Sequence, residues 1–162
     1  MRRLAVYIET SVWSHWFAED TPERREETQA FLRRCAESPE TATVYVSDVV
    51  LQALAAAPPE RARALLELVE KIGAAVAEAS PEAEELAAAY LSHGALPPSR
   101  LVDAMHAAIA TVHGIDVMAS WNFRHLANVS RRRKINAVNA MMGYSGALEI
   151  VTPLEVFEDA DQ

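Results

Sequence analysis

Apolar residues follow two alternating patterns along the chain. Short runs such as "RRLAVYI" (2–8), "TATVYV" (41–46), "IDVMAS" (115–120) and "LEIVT" (148–152) read as buried strands. Between them, apolar residues recur every three or four positions, as on one face of a helix. Ser11 with Val12, Trp13, Trp16 and Phe17 predicts a short helix packed back on the first strand. Thr21, Pro22 and Glu23 supply an N-cap, a first-turn proline and a first-turn acid, and predict a helix to about residue 37. Its apolar stripe is Ala30, Phe31 and Cys35. Ser47 is placed to cap a helix beginning "DVVLQAL"; Pro58 and Pro59 end it and begin another, which Gly73 terminates.

The second half repeats the alternation. Residues 74–79 form a weak alanine-rich strand, and Ser80 and Pro81 start a helix to about residue 92. A long helix over 99–113 closes at Gly114. Asn122 caps a helical turn, and Ser130 caps a helix whose apolar positions are Ile135, Val138, Met141 and Met142. Thr152, Pro153 and Glu155 form a capping box that opens a terminal helix. Strands and helices thus alternate from end to end, without repeat, low-complexity segment or linker. The pattern predicts an α/β fold: a three-layer α/β/α sandwich around a mainly parallel sheet. Sites in such sheets lie beyond the carboxyl ends of the strands, where the strand order reverses. Glu9, Ser47 with Asp48, and Ser120 with Asn122 fall at such ends.

Length and composition refine this picture. The 162 residues are 51% hydrophobic and 23% charged, the balance of one globular domain spanning 1–162. No apolar run approaches the roughly 20 residues that cross a bilayer, and Glu9 interrupts the first run before a signal-peptide core develops, so a cytoplasmic protein without a membrane partner is expected. Cys35 has no cysteine to pair with and reads as a half-buried helix residue. Trp13, Trp16 and Phe17 read first as core and second as a dimer surface; a homodimer is the assembly expected. The net charge of −8 removes any general attraction to nucleic acid, so a contact with RNA must be local. Arg124, His125, Arg131, Arg132, Arg133 and Lys134 could supply one, although a charge run is more often a solvated helix face.

The glycine spacing contains neither a phosphate-binding G-x-x-x-x-G-K-[ST] nor a G-x-G-x-x-G after the first strand, and no serine sits in a G-x-S-x-G elbow. What remains is acids. Carboxylates gathered at strand ends suit Mg²⁺ or Mn²⁺, hard cations that prefer oxygen. Asp103 is a candidate because its helix neighbours are apolar; His106 shares its face and reads first as a structural histidine. Asp116 opens the fourth strand, at the end away from the site, and reads as structural.

Four segments, "VYIETSVWS", "VYVSDVVLQAL", "VDAMHAAIATVHG" and "DVMASWNFRHLAN", resemble in order and separation the PIN domains, specifically the VapC-like proteins of bacteria and archaea. The resemblance implies a three-layer α/β/α fold, an acidic pocket for Mg²⁺ or Mn²⁺, and metal-dependent RNA cleavage, often as the toxin partnered by a small antitoxin protein. Glu9 falls on the family's first acid and Asp103 on its helix acid, with Asn122 where many members carry a further Asp. Thr10, Ser11 and Ser120 fall among the pocket hydroxyls. Gln52 stands five residues after Ser47, where the family has Glu, so one principal carboxylate is replaced by an amide that carries no charge. Asp48 substitutes for it only if it points into the same pocket. The expected function is a Mg²⁺- or Mn²⁺-dependent endoribonuclease with Glu9, Asp103, Asn122 and Gln52 at its centre. The alternative is a catalytically weak or inactive PIN-fold module that binds RNA or protein.

Overall fold

A computed structural model describes residues 3–157. Among the described residues, five strands form one sheet in the order β3-β2-β1-β4-β5, and every pairing is parallel. They are β1 (Leu4–Ile8), β2 (Ala42–Ser47), β3 (Ala75–Ala77), β4 (Val117–Ala119) and β5 (Glu149–Val151). The helices are α1 (Thr10–Ser14), α2 (Pro22–Glu37), α3 (Asp48–Ala55), α4 (Pro59–Ile72), α5 (Pro81–Ser92), α6 (Leu101–Val112) and α7 (Val129–Met141). A 3₁₀ turn at His15–Phe17 extends α1. Helices α1 to α4 pack among themselves, as do α5 to α7, and the sheet lies between them. This is the α/β/α sandwich that the alternation predicts.

The chain adds β2 and β3 on one side of β1, then returns to add β4 and β5 on the other. The order therefore reverses between β1 and β4, and their carboxyl ends flank the crevice where α/β sheets place ligands. β1 is central, and Val6, Tyr7 and Ile8 are fully buried. Covered on both faces, it has to be apolar throughout, which is why its sequence reads as a continuous run.

Local signals behave as physical chemistry requires, with four exceptions. Ser47 Oγ accepts from Val50 N–H at 3.1 Å and Ser80 Oγ from Ala83 N–H at 3.2 Å, so both caps form. Gly73 ends α4 at φ 78°, a left-handed conformation that glycine adopts without Cβ strain. Thr21, in contrast, occupies the N-cap of α2 but makes no side-chain cap bond. The buried stripe of α2 is Thr28, Phe31, Leu32 and Cys35; Ala30 is exposed, one position off the stripe. Helix α7 is capped by Asn128, whose Oδ1 accepts from Arg131 N–H at 2.9 Å, and Ser130 lies inside the helix. Ile135 and Val138 are buried as expected, but Met141, the last residue of α7, is 57% exposed. At the carboxyl end the capping-box bond forms, Thr152 N–H to Glu155 Oε2 at 2.8 Å, but residues 153–157 make turns rather than a helix. The remainder of that predicted helix lies outside the described residues. Asp116 Oδ2 accepts from Ala5 N–H at 2.8 Å, the structural role expected of it.

Candidate active site

Glu9 is the first residue after β1 and also the N-cap of α1. Its Oε2 accepts from Ser11 N–H at 3.1 Å, from Ser11 Oγ–H, and from Ser120 Oγ–H at 2.9 Å. One carboxylate oxygen thus takes donors from α1 and from the residue after β4, which ties the two sides of the crevice together. The backbone repeats the link: Glu9 N–H donates to Ala119 O at 3.1 Å and Trp121 N–H to Ser11 Oγ at 3.0 Å. Glu9 is 7% exposed, and burial raises its pKa; the Ser11 and Ser120 hydrogen bonds oppose that rise.

Asp103 lies in the first turn of α6, partly buried. Burial raises its pKa, and the negative charge of Glu9 raises it further, whereas His106, Arg100 and His125 act the other way. A chain of hydrogen bonds joins the two acids: Ser120 Oγ donates to Glu9, Asn122 N–H donates to Ser120 Oγ at 3.0 Å, and Asn122 Nδ2 reaches Asp103. Asn122 Nδ2 lies 3.5 Å from Asp103 Oδ2, and Asn122 Oδ1 accepts from His125 N–H at 3.2 Å. The amide is thus oriented as a donor toward Asp103, and any ligand role would use the second lone pair of its oxygen.

Behind the acids lies a buried network. The Tyr7 hydroxyl is 2.6 Å from His106 Nδ1 and 2.7 Å from Ser47 Oγ. Burial lowers the His106 pKa to about 4, so the imidazole is neutral at pH 7. The Tyr7 hydroxyl thus bridges His106 Nδ1 and Ser47 Oγ, and Ser47 Oγ also accepts from Val50 N–H. This chain pins β1, the start of α3 and α6 to one another.

The other predicted residues take no part in the hydrogen bonds that join the two acids. Gln52 is on the exposed face of α3, and no hydrogen bond ties it to either acid. Asp48 Oδ1 accepts from Val49 N–H at 3.1 Å and from Ala79 N–H at 3.0 Å, which holds it toward the β3–α5 loop. Within the basic run, Arg131 donates to Ala95 O at 2.8 Å and Arg132 pairs with Glu149 at 3.4 Å, while Arg133 and Lys134 are exposed. Arg100, Arg124 and Arg131 all act electrostatically on His125, and so does Asp103. Arg100 was not among the expected residues. Its position three residues before Asp103, one helical turn away, is the signal that could have found it.

Among the described residues, no three of His, Cys, Asp and Glu gather closely enough to hold a metal. The site nonetheless fits a hard cation that keeps much of its water. Glu9 and Asp103 supply carboxylate oxygens, the hydroxyls of Ser11 and Ser120 lie against Glu9, and Thr10 Oγ1, in the next residue, is buried without a hydrogen-bond partner.

A family model described as PIN domain matches residues 6–131, more than half of the chain. The chain belongs to the PIN domain family. Among solved structures, this PIN domain is similar to the VapC20 toxin of Mycobacterium tuberculosis, described as cleaving the sarcin–ricin loop, with TM-score 0.55 and 18% identity over 86% of this chain and 96% of that one. It is also similar to VapBC2 of Rickettsia felis, solved bound to a DNA fragment from its promoter, with TM-score 0.56 and 12% identity over 91% of this chain and 98% of that one. At these identities the likeness is one of fold. No curated protein matches the sequence.

Proposed function

We infer that this PIN domain is a Mg²⁺- or Mn²⁺-dependent endoribonuclease, with Glu9 and Asp103 as the acids that hold the cation. The observation that carries this reading is the pair itself: two carboxylates joined through Ser120 and Asn122 at the reversal of strand order. A bound divalent ion would supply a water of lowered pKa and positive charge beside the phosphodiester. Ser11 and Ser120 fix the rotamer of Glu9, and the amide of Asn122 steadies Asp103. Arg100, Arg124, His125 and Arg131 form a basic rim beside Asp103 that can hold phosphates, contacts that position a strand without reading its sequence. The fold shared with VapC20 and VapBC2 supports a toxin role with a small antitoxin as protein partner. We propose that it acts in the cytoplasm as a homodimer, each chain one PIN unit over 1–162. Among the described residues, no helix is long and apolar enough to cross a membrane.

A second reading rests on Gln52. With an amide in place of a third acid, the same fold would bind RNA or protein with little or no cleavage. RNA cleavage assayed with Mn²⁺ separates the two. Under the nuclease reading, Glu9→Gln and Asp103→Asn each lower kcat by a hundredfold or more on the scale of lost metal catalysis (~10²–10⁴), and Gln52→Glu raises it. A wild type that binds neither Mn²⁺ by calorimetry nor cleaves RNA would refute that reading.

A further inference from the structure

The turn after β4 carries a feature used by neither the acids nor the core. Phe123 is 52% exposed, although Trp121, two residues before it, is buried. Its backbone is firmly held: Phe123 N–H donates to Trp121 O at 2.9 Å, and Asn128 Nδ2 donates to Phe123 O at 3.0 Å. Leu126 N–H and Ala127 N–H both close on Asn122 O at 2.9 Å. A fixed turn therefore holds an aromatic ring in water, where its apolar surface is unfavourable and its backbone role needs no ring. Arg24 of α2 places its guanidinium 4.2 Å from the Trp121 ring centre and 5.6 Å from that of Phe123. Phe123 directly follows Asn122, the residue that reaches Asp103. On its other side, Arg124 and His125 belong to the basic rim.

Charge makes this ring matter. At −8 overall, the protein's general field repels a polyanion, so a contact that does not depend on charge adds to what the local basic rim can supply. Unpaired bases stack on aromatic faces and guanidinium planes, whereas bases inside a duplex have both faces covered. We propose that Phe123, backed by Arg24, is a stacking platform for an unpaired RNA base next to the phosphodiester held at Glu9 and Asp103. The proposal rests on the nuclease reading and adds to it a subsite for a base.

The probe is a short single-stranded oligoribonucleotide carrying a fluorescent purine analogue. Binding is read in the full chain with Glu9→Gln and Asp103→Asn, which removes turnover and the repulsion of phosphates by the acids. Stacking predicts quenching on binding, about tenfold weaker affinity and no quenching when Phe123→Ala is added, and recovery of both with Phe123→Trp. The same sequence as a duplex should bind equally with and without the ring. Phe123→Ala is expected to melt with the parent chain, which separates lost stacking from lost folding. Unchanged affinity and quenching in Phe123→Ala, beside normal RNA cleavage by wild type, would overturn the platform and leave the nuclease standing; it would mark the ring as an anchor for a protein partner instead. If the chain neither binds nor cleaves RNA with Mn²⁺ present, both readings fall.

Discussion

The proposed chemistry of this PIN domain turns on one carboxylate oxygen. Glu9 Oε2 receives three donors from two elements, and burial still wins, leaving the acid harder to ionise than in water. A raised pKa means that Glu9 contributes stability below its ordinary range and loses it as pH rises through the folded value. Asp103 has the same sign, and Glu9→Gln should therefore make the metal-free fold more stable at pH 7 in urea denaturation, even while cleavage is lost. His106 has the opposite sign. With its pKa lowered to about 4, it contributes stability above the ordinary histidine range that is lost as pH falls from about 6.5 toward 4, about 3 kcal/mol in all. The acids oppose this loss in the same interval. Denaturation of the Glu9→Gln, Asp103→Asn chain should therefore show the full decline, and adding His106→Gln should flatten it. Both acids were legible in the sequence because a charge interrupts an apolar setting. Phe123 and Arg24 were not, since a turn has no periodicity to betray an exposed ring, and Arg24 meets it only through the packing of α2.

At the level of elements, most boundaries were legible because, among the described residues, α1, α3, α5 and α7 each start at a side chain that satisfies an orphaned N–H group, and α2 and α4 start at a first-turn proline. The error at α7 is instructive. Asn128 and Ser130 are both competent caps, and a sequence offers no means to choose between them; the tertiary turn decides, because Asn128 Nδ2 also reaches Phe123 O at 3.0 Å and Arg124 O at 3.2 Å. Asn128 joins the start of α7 to the carbonyls of the turn that carries the basic rim. Asn128→Ala should cost about 1–2 kcal/mol of stability, while Ser130→Ala should stay within about 0.5 kcal/mol, as measured by the midpoint of chemical denaturation. The reverse ranking would restore Ser130 as the cap.

For the whole molecule, the alternation of patterns made the α/β class legible, whereas the pairing of β1 with both β2 and β4 is a long-range fact that no local run encodes. That pairing makes the site: Glu9, Asp103 and Asn122 come from distant parts of the chain and meet only at the reversal of strand order. Cation binding there should consequently stabilise the entire fold. Mn²⁺ at about a hundred times its Kd should add about 2.7 kcal/mol and raise the melting temperature by about 5–10 °C, with no such shift in the Glu9→Gln, Asp103→Asn chain. The central place of β1 has one more consequence, during synthesis. Leu4 finds its neighbour Ala42 early, but Val6 waits for Val117 on its other edge. Until β4 leaves the ribosome, the most apolar strand of the protein presents an open row of amides and carbonyls, the kind of edge that recruits foreign strands. A nascent chain stalled before Val117 is therefore prone to aggregate, and the same late pairing that brings Ser120 onto Glu9 also closes that edge.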